Sequence, residues 1–421
     1  MSVCSHARLP TQVRLCQCCE LPVDIIDLKK GYSADCPRCG TQIYRSESYS
    51  IGGNLALAIT CLLLFVPSHY FDFITIRLVG MMIEGTLMEG VYALAKEGYP
   101  GLALLTLFCH TIAPLAMCTS VLTAHAALKF RWFNILKISL SVLSHSKHWV
   151  MLDVFLISVA ISCFKLQDYS DIYVGNALYS LVILQILTIV LVNRVSTRRY
   201  WENWQTESSL PVAAKEIHCH TCHLSQPEAK NCVRCHSPLY HRKPNSMQKT
   251  WALLIAATVA IFPANLVPIS ILITNGQRLE DTILSGVASL INNDMLGIAI
   301  IIFVASIVVP VAKILGLGYL MFCIQFDKVK NHKVEMRIYR AIKWIGKWSM
   351  TDLFVISIML TLVDRGQILN FTPGFGAVAF GIVVVLTMFA AETLDPRLLW
   401  DRHNSKPSLQ PETKLSSSFN E

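Results

Sequence analysis

Eight long apolar stretches constrain this chain more than any other feature of its sequence. They lie at about 51–73, 99–125, 149–166, 172–192, 251–274, 295–324, 348–362 and 374–391. A helix needs roughly 20 apolar residues to cross a bilayer, so these stretches predict eight transmembrane helices. The third and the seventh are short by this measure and must extend into their flanks. Charged residues make up only 15% of the chain, against about 25% in soluble proteins.

The distribution of basic residues predicts the orientation of the spans. An even number of spans places both termini on one side and the loops at about 74–98, 168–171, 275–293 and 364–373 on the other. Those four loops carry few basic residues: Arg77, Lys96, Arg278 and Arg365. Because cytoplasmic loops are enriched in Lys and Arg, we expect both termini in the cytoplasm. The net charge of +8 is scattered between apolar segments, which excludes a basic face for nucleic acid.

The chain also repeats itself. A shift of 196 residues places Cys36 on Cys232 and Pro114 on Pro310, and three residues are then gained before Asp153 meets Asp352. We therefore predict an all-α polytopic membrane protein, a tandem repeat of a small β zinc ribbon and four transmembrane helices. The predicted segments are an N-terminal cytoplasmic ribbon (1–50), a first four-helix unit (51–193), a linker with the second ribbon (194–250), a second four-helix unit (251–394) and a disordered cytoplasmic tail (395–421).

Four C-x-x-C pairs supply the predicted metal ligands. Two such pairs separated by a short loop offer four thiolates in the tetrahedron that structural Zn²⁺ takes. In the reducing cytoplasm these cysteines bind metal rather than form disulfides. The predicted ligands of two structural Zn²⁺ sites are Cys16, Cys19, Cys36 and Cys39 in the first ribbon, and Cys219, Cys222, Cys232 and Cys235 in the second.

Three alternatives remain open for the ribbons. An iron centre of rubredoxin type uses the same four ligands. Histidines flank the second ribbon and could replace a cysteine, namely His218, His220, His223 and His236, and Cys18 adjoins Cys19 in the first. A redox C-x-x-C is the third alternative, although it leaves two pairs per ribbon unexplained. Four thiolates leave no open position for water, which favours a structural role.

Polar residues inside the apolar stretches form the second candidate site. Asp153 and Asp352 occupy equivalent places near the start of the third stretch of each half. Lys313 lies in the sixth stretch and is the predicted cationic partner of Asp352, with the Ser349 and Thr351 hydroxyls nearby. A charge in a span is costly and usually faces a bundle interior or cavity. These residues are candidates for a transport network.

Two plainer interpretations compete with that role. Asp352 and Lys313 could form a salt bridge that only fixes helix packing, or both could reach the cytoplasmic interface. The symmetry is broken here, since Met117 stands where Lys313 does in the second half. The far-side loops are interpreted as amphipathic or re-entrant segments. Four further histidines are interpreted as interfacial: His110, His125, His145 and His148.

The motifs resemble the paraquat-inducible protein A family over about residues 14–395. The resemblance is carried by Cys36-Pro-Arg-Cys39-Gly40, the matching second ribbon, the Trp-x-Met-x-Asp-x-Phe segments at 149–155 and 348–354, and Pro310-Val-Ala-Lys313. It implies a multi-pass protein of the bacterial inner membrane that works with a periplasmic MCE-domain (mammalian cell entry) tunnel protein. Such a protein moves phospholipid between the membranes and supports envelope integrity, and it is not an enzyme. The resemblance also implies that Lys313, Ser349 and Asp352 belong to a functional polar network.

Two other functions are compatible with the same sequence. A membrane-bound redox or stress sensor would use the ribbon thiolates and lose zinc on oxidation. A structural anchor would dock a periplasmic partner, hold no lipid and tolerate Asp352→Asn.

Overall fold

The computed structural model describes most of the chain. The described residues are 13–24, 29, 32–45, 50–78, 81–166, 171–205, 216–274, 277–292, 294, 296–329, 331–363 and 369–401. Within them the chain is mostly helical, with small antiparallel sheets at the ribbons and beside the helices.

The helices fall into two sets in chain order. The first set is α1 (Ile51–Tyr70), α2 (Leu87–Lys96), α3 (Pro100–Leu107), α4 (Ala113–Phe130), α5 (Phe133–Trp149), α6 (Leu152–Leu166), α7 (Asn176–Arg194) and α8 (Thr197–Trp204). The second set is α9 (Ser246–Leu266), α10 (Ile283–Asn292), α11 (Leu296–Phe303), α12 (Val309–Gln325), α13 (His332–Ile345), α14 (Thr351–Val363) and α15 (Phe375–Thr393). The elements from α2 to α7 recur at α10 to α15 in the same order, which agrees with the predicted repeat.

The strands are short and antiparallel. They are β1 (Val13–Leu15), β2 (Pro22–Asp24), β3 (Ser33–Asp35), β4 (Gln42–Arg45), β5 (Ile74–Leu78), β6 (Met81–Gly85), β7 (Asp171–Val174), β8 (Glu216–His218), β9 (Ser225–Pro227), β10 (Ser270–Thr274), β11 (Gln277–Asp281) and β12 (Leu369–Pro373). In the ribbons, β1 pairs with β2, β3 with β4 and β8 with β9.

A proline widens the same helix in both units. The π-helical segments Phe108–Ile112 and Val304–Val308 precede Pro114 and Pro310 by two residues or fewer. Proline lacks a backbone N–H and its ring clashes with the carbonyl four residues earlier. The extra residue in the π turn removes that clash without breaking the helix. Both prolines are therefore accommodated in continuous helices by a π segment.

Seven helical segments of the described chain are long and apolar enough to cross a membrane. They are Ile51–Tyr70, Pro100–Phe130, Phe133–Phe164, Asn176–Arg194, Ser246–Leu266, Leu296–Gln325 and Phe375–Thr393. The predicted eighth span contains α14, whose 13 residues rise about 20 Å. The count of eight therefore stays a prediction. Large apolar side chains point outward from the spans, with Leu63 70% and Phe262 63% exposed, as in a multi-pass membrane protein.

The far-side loops contain sheets that the sequence analysis missed. The order of strands is β6-β5-β7 in the first unit and β11-β10-β12 in the second. The amphipathic interpretation fits α2 and α10, which follow the hairpins, but the re-entrant interpretation is wrong for β5, β6, β10 and β11. The third strand of each sheet comes from just before the last helix of its unit, so local pattern cannot show the pairing. Gly80 and Gly276, noted between these strands, lie outside the described residues.

Two glycines let the last helix of each unit approach its sheet closely. Gly175 and Gly374 are the N-cap residues of α7 and α15. A Cβ atom at Gly374 would lie 2.0 Å from the Pro268 carbonyl oxygen, and one at Gly175 would lie 2.2 Å from that of Asp72. No side chain fits at either place, so these glycines fix the last helix against the chain that follows the first helix.

The two units meet through equivalent helices. Phe155 on α6 and Phe354 on α14 pack edge to face, with ring centroids 5.5 Å apart. The Ser158 hydroxyl donates to the Thr351 carbonyl oxygen at 3.0 Å across the same joint. Because Phe155 and Phe354 occupy the same position in their repeats, the joint lies on the pseudo-symmetry axis.

Each ribbon packs on the membrane unit of the other repeat. The apolar core around the first ribbon's cysteines continues into Leu317, Met336 and Trp400 of the second unit. The core around the second ribbon's cysteines continues into Tyr200 and Trp201, which follow the first unit. On the ribbon side the two repeats therefore cross, in the sense that each ribbon packs against the membrane unit of the other repeat.

The ordered chain continues past the predicted start of the tail. Pro396–Trp400 forms a 3₁₀ segment in which Arg397, Leu399 and Trp400 are buried. The predicted boundary at residue 395 is therefore too early, because these polar-looking residues are buried against the ribbons. Residues 402–421 lie outside the described residues.

Candidate functional site

The eight cysteines of the C-x-x-C pairs form two compact clusters. In the first, Sγ of Cys16 lies 3.4 Å from that of Cys39, and Cys19 lies 3.5 Å from Cys36. In the second, the corresponding distances are 3.5 Å for Cys219 to Cys235 and 3.4 Å for Cys222 to Cys232. All four sulfurs of each cluster lie within 4.8 Å of one another, and all eight cysteines are buried. Tetrahedral Zn²⁺ holds sulfurs roughly 3.8 Å apart, so both clusters fit the ion closely.

The same turn builds every knuckle. The residue after the second cysteine of each pair is left-handed, with φ between 54° and 67°, and its amide bonds back to the carbonyl of the first cysteine. These four residues are Glu20, Gly40, His223 and His236. The turn points both thiols of a pair to one side. One of the four residues is a glycine, and the other three turns form without one.

The histidines near the second ribbon have other partners. His218 Nε2 lies 3.2 Å from His223 Nδ1, and His220 Nε2 lies 2.9 Å from Arg397. His236 packs its ring on Phe133. Neither these four histidines nor Cys18 belongs to a cluster among the described residues, so the geometry agrees with all-cysteine ligation.

The thiols of each cluster perturb one another strongly. Hydrogen bonding to Cys219 raises the pKa of the Cys222 thiol and lowers the pKa of the Cys235 thiol. Cys16 has the same two effects on Cys19 and Cys39 in the first ribbon. One thiol ionises readily while its neighbour resists, so four thiolates coexist only when a cation balances their charge. The donor set is therefore complete for a metal and poorly suited to remain without one.

The predicted polar network lies at the start of α14. Lys313 on α12 is 2% exposed and donates from Nζ to the Ser349 hydroxyl at 2.9 Å. The Ser349 hydroxyl donates to the Gly346 carbonyl oxygen at 3.0 Å, and the Thr351 hydroxyl donates to the Trp348 carbonyl oxygen at 2.6 Å. The structure thus brings Lys313 and Ser349 together. The predicted ion pair between Lys313 and Asp352 stays a prediction.

Asp352 borders a groove in the second unit, which we call the α14 groove. Its walls come from the start of β10, the end of β11, α10, α11 and α14, and the roughly 540 Å³ between them includes open solvent. The lining residues are Ile269, Ser270, Asp281, Thr282, Ile283, Gly286, Val287, Leu290, Ile302, Asp352, Val355, Ile356 and Met359. Asp153, the first-unit equivalent of Asp352, is half-buried and does not border this groove.

The α14 groove is polar at its two ends and apolar between them. Ser270 and Asp281 pair across β10 and β11 at the sheet end. Asp352 lies in the first turn of α14, away from the sheet, because β12 follows the other end of that helix. Along α14, Asp352 and Met359 are separated by about 10 Å. The wall between the two polar ends is formed by aliphatic side chains.

The sequence analysis missed a buried histidine pair in the first unit. His110 is 2% exposed and His69 is 8% exposed, and the Thr111 hydroxyl lies between them. The interfacial interpretation is therefore wrong for His110. Its place before Pro114, in a span, was the available signal, but only the folded chain brings it to His69 on another helix.

Comparison with known proteins agrees with this architecture. The family model described as paraquat-inducible protein A matches residues 52–205 and 247–404, once for each unit. Lipophilic envelope-spanning tunnel protein A of Escherichia coli strain K12 is 37% identical over 398 residues, which cover 93% of this chain and 91% of that protein. Intermembrane transport protein PqiA of the same strain is 31% identical over 429 residues, 99% of this chain and 100% of that protein.

A third relative, named probable intermembrane transport protein, comes from Haemophilus influenzae and is 30% identical over 403 residues, 93% of this chain and 96% of that protein. No solved structure matches the chain.

Two ribbon-bearing helical units with two four-cysteine clusters define a duplicated multi-pass membrane protein. The chain belongs to the paraquat-inducible protein A family, which confirms the resemblance found from its motifs.

Proposed function

We propose that this chain is the inner-membrane component of a lipid transport system, with both termini in the cytoplasm. It works with a periplasm-spanning MCE-domain tunnel protein to move phospholipid between the inner and outer membranes and so maintains envelope integrity. It is a transporter subunit and not an enzyme. The names of its relatives support transport between membranes. The MCE partner rests on the family resemblance.

The α14 groove is the observation that carries this proposal. Its lining joins aliphatic side chains to carboxylates, as a site for an amphiphilic molecule requires. Aliphatic side chains from three helices line its middle, which suits acyl chains. Asp281 and Asp352 lie at its two ends, where they suit the polar and cationic parts of a phospholipid.

The groove also connects the membrane to the far side of the protein. It begins beside Asp352, within the helical unit, and ends at the sheet formed by β10, β11 and β12. In the predicted topology that sheet faces the periplasm. A lipid that moves along the groove would therefore leave the bilayer toward the compartment that the tunnel occupies.

The two ribbons hold structural Zn²⁺ in this proposal. The ligands are Cys16, Cys19, Cys36 and Cys39 in the first ribbon, and Cys219, Cys222, Cys232 and Cys235 in the second. The ion supplies folding free energy to ribbons too small to form a core alone. The fixed ribbons then clamp the ends of the two membrane units together.

A photoreactive phospholipid incorporated into nanodiscs tests the proposal. We expect it to cross-link to α10, α11 or α14 in the wild-type protein. Asp352→Asn should lower the yield about tenfold, because a carboxylate that binds a polar headgroup contributes roughly 1.5–3 kcal/mol. The matched variant is Asp153→Asn, since its equivalent position does not border the groove, and it should retain the wild-type yield.

Two results separate the alternatives. Absence of cross-links from α10, α11 and α14, together with normal envelope function of Asp352→Asn, would leave a structural anchor as the better account. Reversible oxidation of the ribbon cysteines with loss of metal, and no cross-linked lipid, would favour a redox sensor. Metal content is measured on the same preparations before and after oxidant.

A further inference from the structure

The first unit contains a polar chain where the second unit has none of the same kind. The polar chain runs in space from His69 on α1 through Thr111 to His110, and so joins two spans. The repeat places Asn265 and Ser306 at the positions of the two histidines. Those two side chains bond back to their own helices, at Ile261 and Ile302.

The hydrogen bonds of the chain fix its direction. His69 Nδ1 lies 3.0 Å from the Phe65 carbonyl oxygen and 2.9 Å from the Ser68 hydroxyl oxygen. Because the Ser68 hydroxyl gives its own hydrogen to the Phe65 carbonyl oxygen at 2.9 Å, Nδ1 of His69 is the donor in these contacts and carries hydrogen. His69 Nε2 then accepts from the Thr111 hydroxyl at 3.2 Å. The Thr111 oxygen in turn lies 2.7 Å from His110 Nδ1, which donates to it. In this neutral arrangement Nε2 of His110 is the basic nitrogen.

This arrangement accepts one proton without any rearrangement. A proton added at Nε2 of His110 leaves every bond of the chain intact. The Thr111 hydroxyl can then give its hydrogen to His69 Nε2 while it takes the hydrogen of His110 Nδ1, which moves the charge to His69 and leaves His110 neutral. A threonine between two imidazoles thus provides a relay rather than an isolated base.

The backbone around His110 is itself unusual. His110 and Thr111 both lie in the π-helical segment Phe108–Ile112. A π turn inside an α-helix occurs frequently at functional sites, because it turns side chains away from the regular helix face. Here the turn directs His110 toward α1, α6 and α14, where its ring packs near His69, Phe155 and Phe354.

The aromatic contacts connect His110 to the joint between the units. The ring centroid of His110 lies 5.3 Å from that of Phe155 and 6.3 Å from that of Phe354. A cationic imidazole is attracted to such rings at about this distance. Phe354 lies two residues from Asp352 on α14, so a charge at His110 acts on the helix that borders the α14 groove.

The other titratable groups near this chain are few. Among the described side chains, the π segment carries Cys109, and the elements packed against it carry Cys61, His69 and Tyr70 on α1, Cys118, His125 and Lys129 on α4, Asp153 and Cys163 on α6, and Asp352 on α14, while α3 carries none. His69 is the titratable group in closest reach of His110 among these, with ring centroids 6.3 Å apart.

We propose that His69, Thr111 and His110 form a proton-binding site in the first unit, and that its protonation controls lipid occupancy of the α14 groove in the second. The proton site stands on its own geometry. The coupling to lipid rests on the function proposed above.

Histidine titration tests the proton site directly. NMR of ¹⁵N-histidine-labelled protein in nanodiscs should show, among its histidine signals, one whose pH titration belongs to His110. That signal should disappear in His110→Gln, and its titration should shift in His69→Gln. Thr111→Val should alter the same signal by cutting the chain, whereas Thr111→Ser should restore it. The exposed His145 on α5 provides the control, since His145→Gln should remove a different signal. If Thr111→Val leaves every histidine titration unchanged, there is no relay, even where His110→Gln fails to fold.

Lipid cross-linking at two pH values tests the coupling. In wild-type protein, the yield at the α14 groove should differ by about fivefold or more between roughly pH 5 and pH 8, the range expected for coupling between two sites. Thr111→Val should abolish that dependence, and Thr111→Ser should keep it. Equal pH dependence in Thr111→Val overturns the coupling. If no lipid cross-links at either pH, the proposed function fails, while the titration still decides on the proton site.

Discussion

The two ribbons dock at equivalent places but through different chemistry. The second ribbon meets the first unit through rings: His236 packs on Phe133 with centroids 5.5 Å apart, and Phe133 packs on Trp201. The first ribbon meets the second unit through cations, since Arg340 on α13 donates to the Gly40 carbonyl oxygen at 2.9 Å. Apolar contact fixes a position, whereas charged hydrogen bonds can be broken when a charge changes.

The charged side of this comparison is a buried network. Arg397 is 2% exposed, bonds to Asp395 at 2.9 Å, and reaches Glu20 of the first ribbon at 3.0 Å. Arg242 of the second ribbon also bonds to Glu20, at 2.7 Å, and to Asp401. Both ribbons are thus tied to the segment that follows the last helix. In the equivalent segment of the first unit, α8, Arg198 stands at the place of Arg397 and bonds to Glu202, which also bonds to Arg14 of the first ribbon at 3.1 Å.

The same contrast holds within the membrane. The first unit has buried imidazoles at positions where the second has Asn265 and Ser306, and the second has Lys313 where the first has Met117. Each unit therefore has titratable side chains that the other lacks at the equivalent positions, two in the first unit and one in the second. Duplication supplied two copies of one fold, and the polar residues made them unequal.

Loss of one metal ligand should have the largest effect and should reveal the crossing. Cys39→Ser removes a ligand from the first ribbon and with it about 10 kcal/mol of metal-derived folding free energy. We expect faster hydrogen exchange in α13, which lies in the second unit, and little change in α5. Cys222→Ser should do the reverse. Exchange rates in the two helices are measured by mass spectrometry. If hydrogen exchange changes equally in α5 and α13, or changes in the helix of the ribbon's own unit, the ribbons are not crossed.

Removal of a buried cation should have the next largest effect. Arg397→Ala leaves Asp395 buried without its main partner, which costs about 3–5 kcal/mol. Arg198→Ala at the equivalent position of the first unit breaks an i,i+4 bond to a carboxylate that is 31% exposed, and should cost less than Arg397→Ala. The melting temperatures of the two purified variants are compared in detergent. Similar losses in both would contradict the difference between the charged and aromatic docking sites.

Acid should weaken the same network, with the smallest effect. Burial tends to raise the pKa of Asp395, but the hydrogen bonds and charge of Arg397 outweigh it and hold this pKa below its ordinary value. A carboxyl of this kind stabilises the fold above its unfolded-state pKa of about 3.9, and the contribution is lost as pH falls through the folded-state pKa.

The stability of the wild-type protein should therefore decline more steeply below about pH 4 than that of Asp395→Asn. Protonation of the ribbon thiolates affects both proteins alike, so the difference between their melting curves isolates Asp395. If the stability of Asp395→Asn declines with falling pH as steeply as that of the wild type, the Asp395 carboxylate does not contribute to the network. Glu228→Gln, on the exposed surface, is the matched control and should follow the wild-type curve.

Much of this molecule was determined by the sequence alone. Apolar runs of span length, basic loops and a repeat offset of 196 residues indicate a duplicated membrane protein, because bilayer thickness and helix geometry leave few other solutions. The C-x-x-C pairs also predict the two four-cysteine clusters, since both cysteines of a pair are brought together by one local turn. The family resemblance rests on these same local motifs.

Tertiary structure decided everything that depends on pairing between distant residues. The third strand of each sheet, the joint at Phe155 and Phe354, and the chain from His69 to His110 all join segments far apart in sequence. The crossing of the ribbons belongs to the same class, because either unit offers an equivalent docking place. Hydrophobic period and residue spacing report on neighbours along the chain, and they carry no information on which of two similar surfaces a folded ribbon will meet.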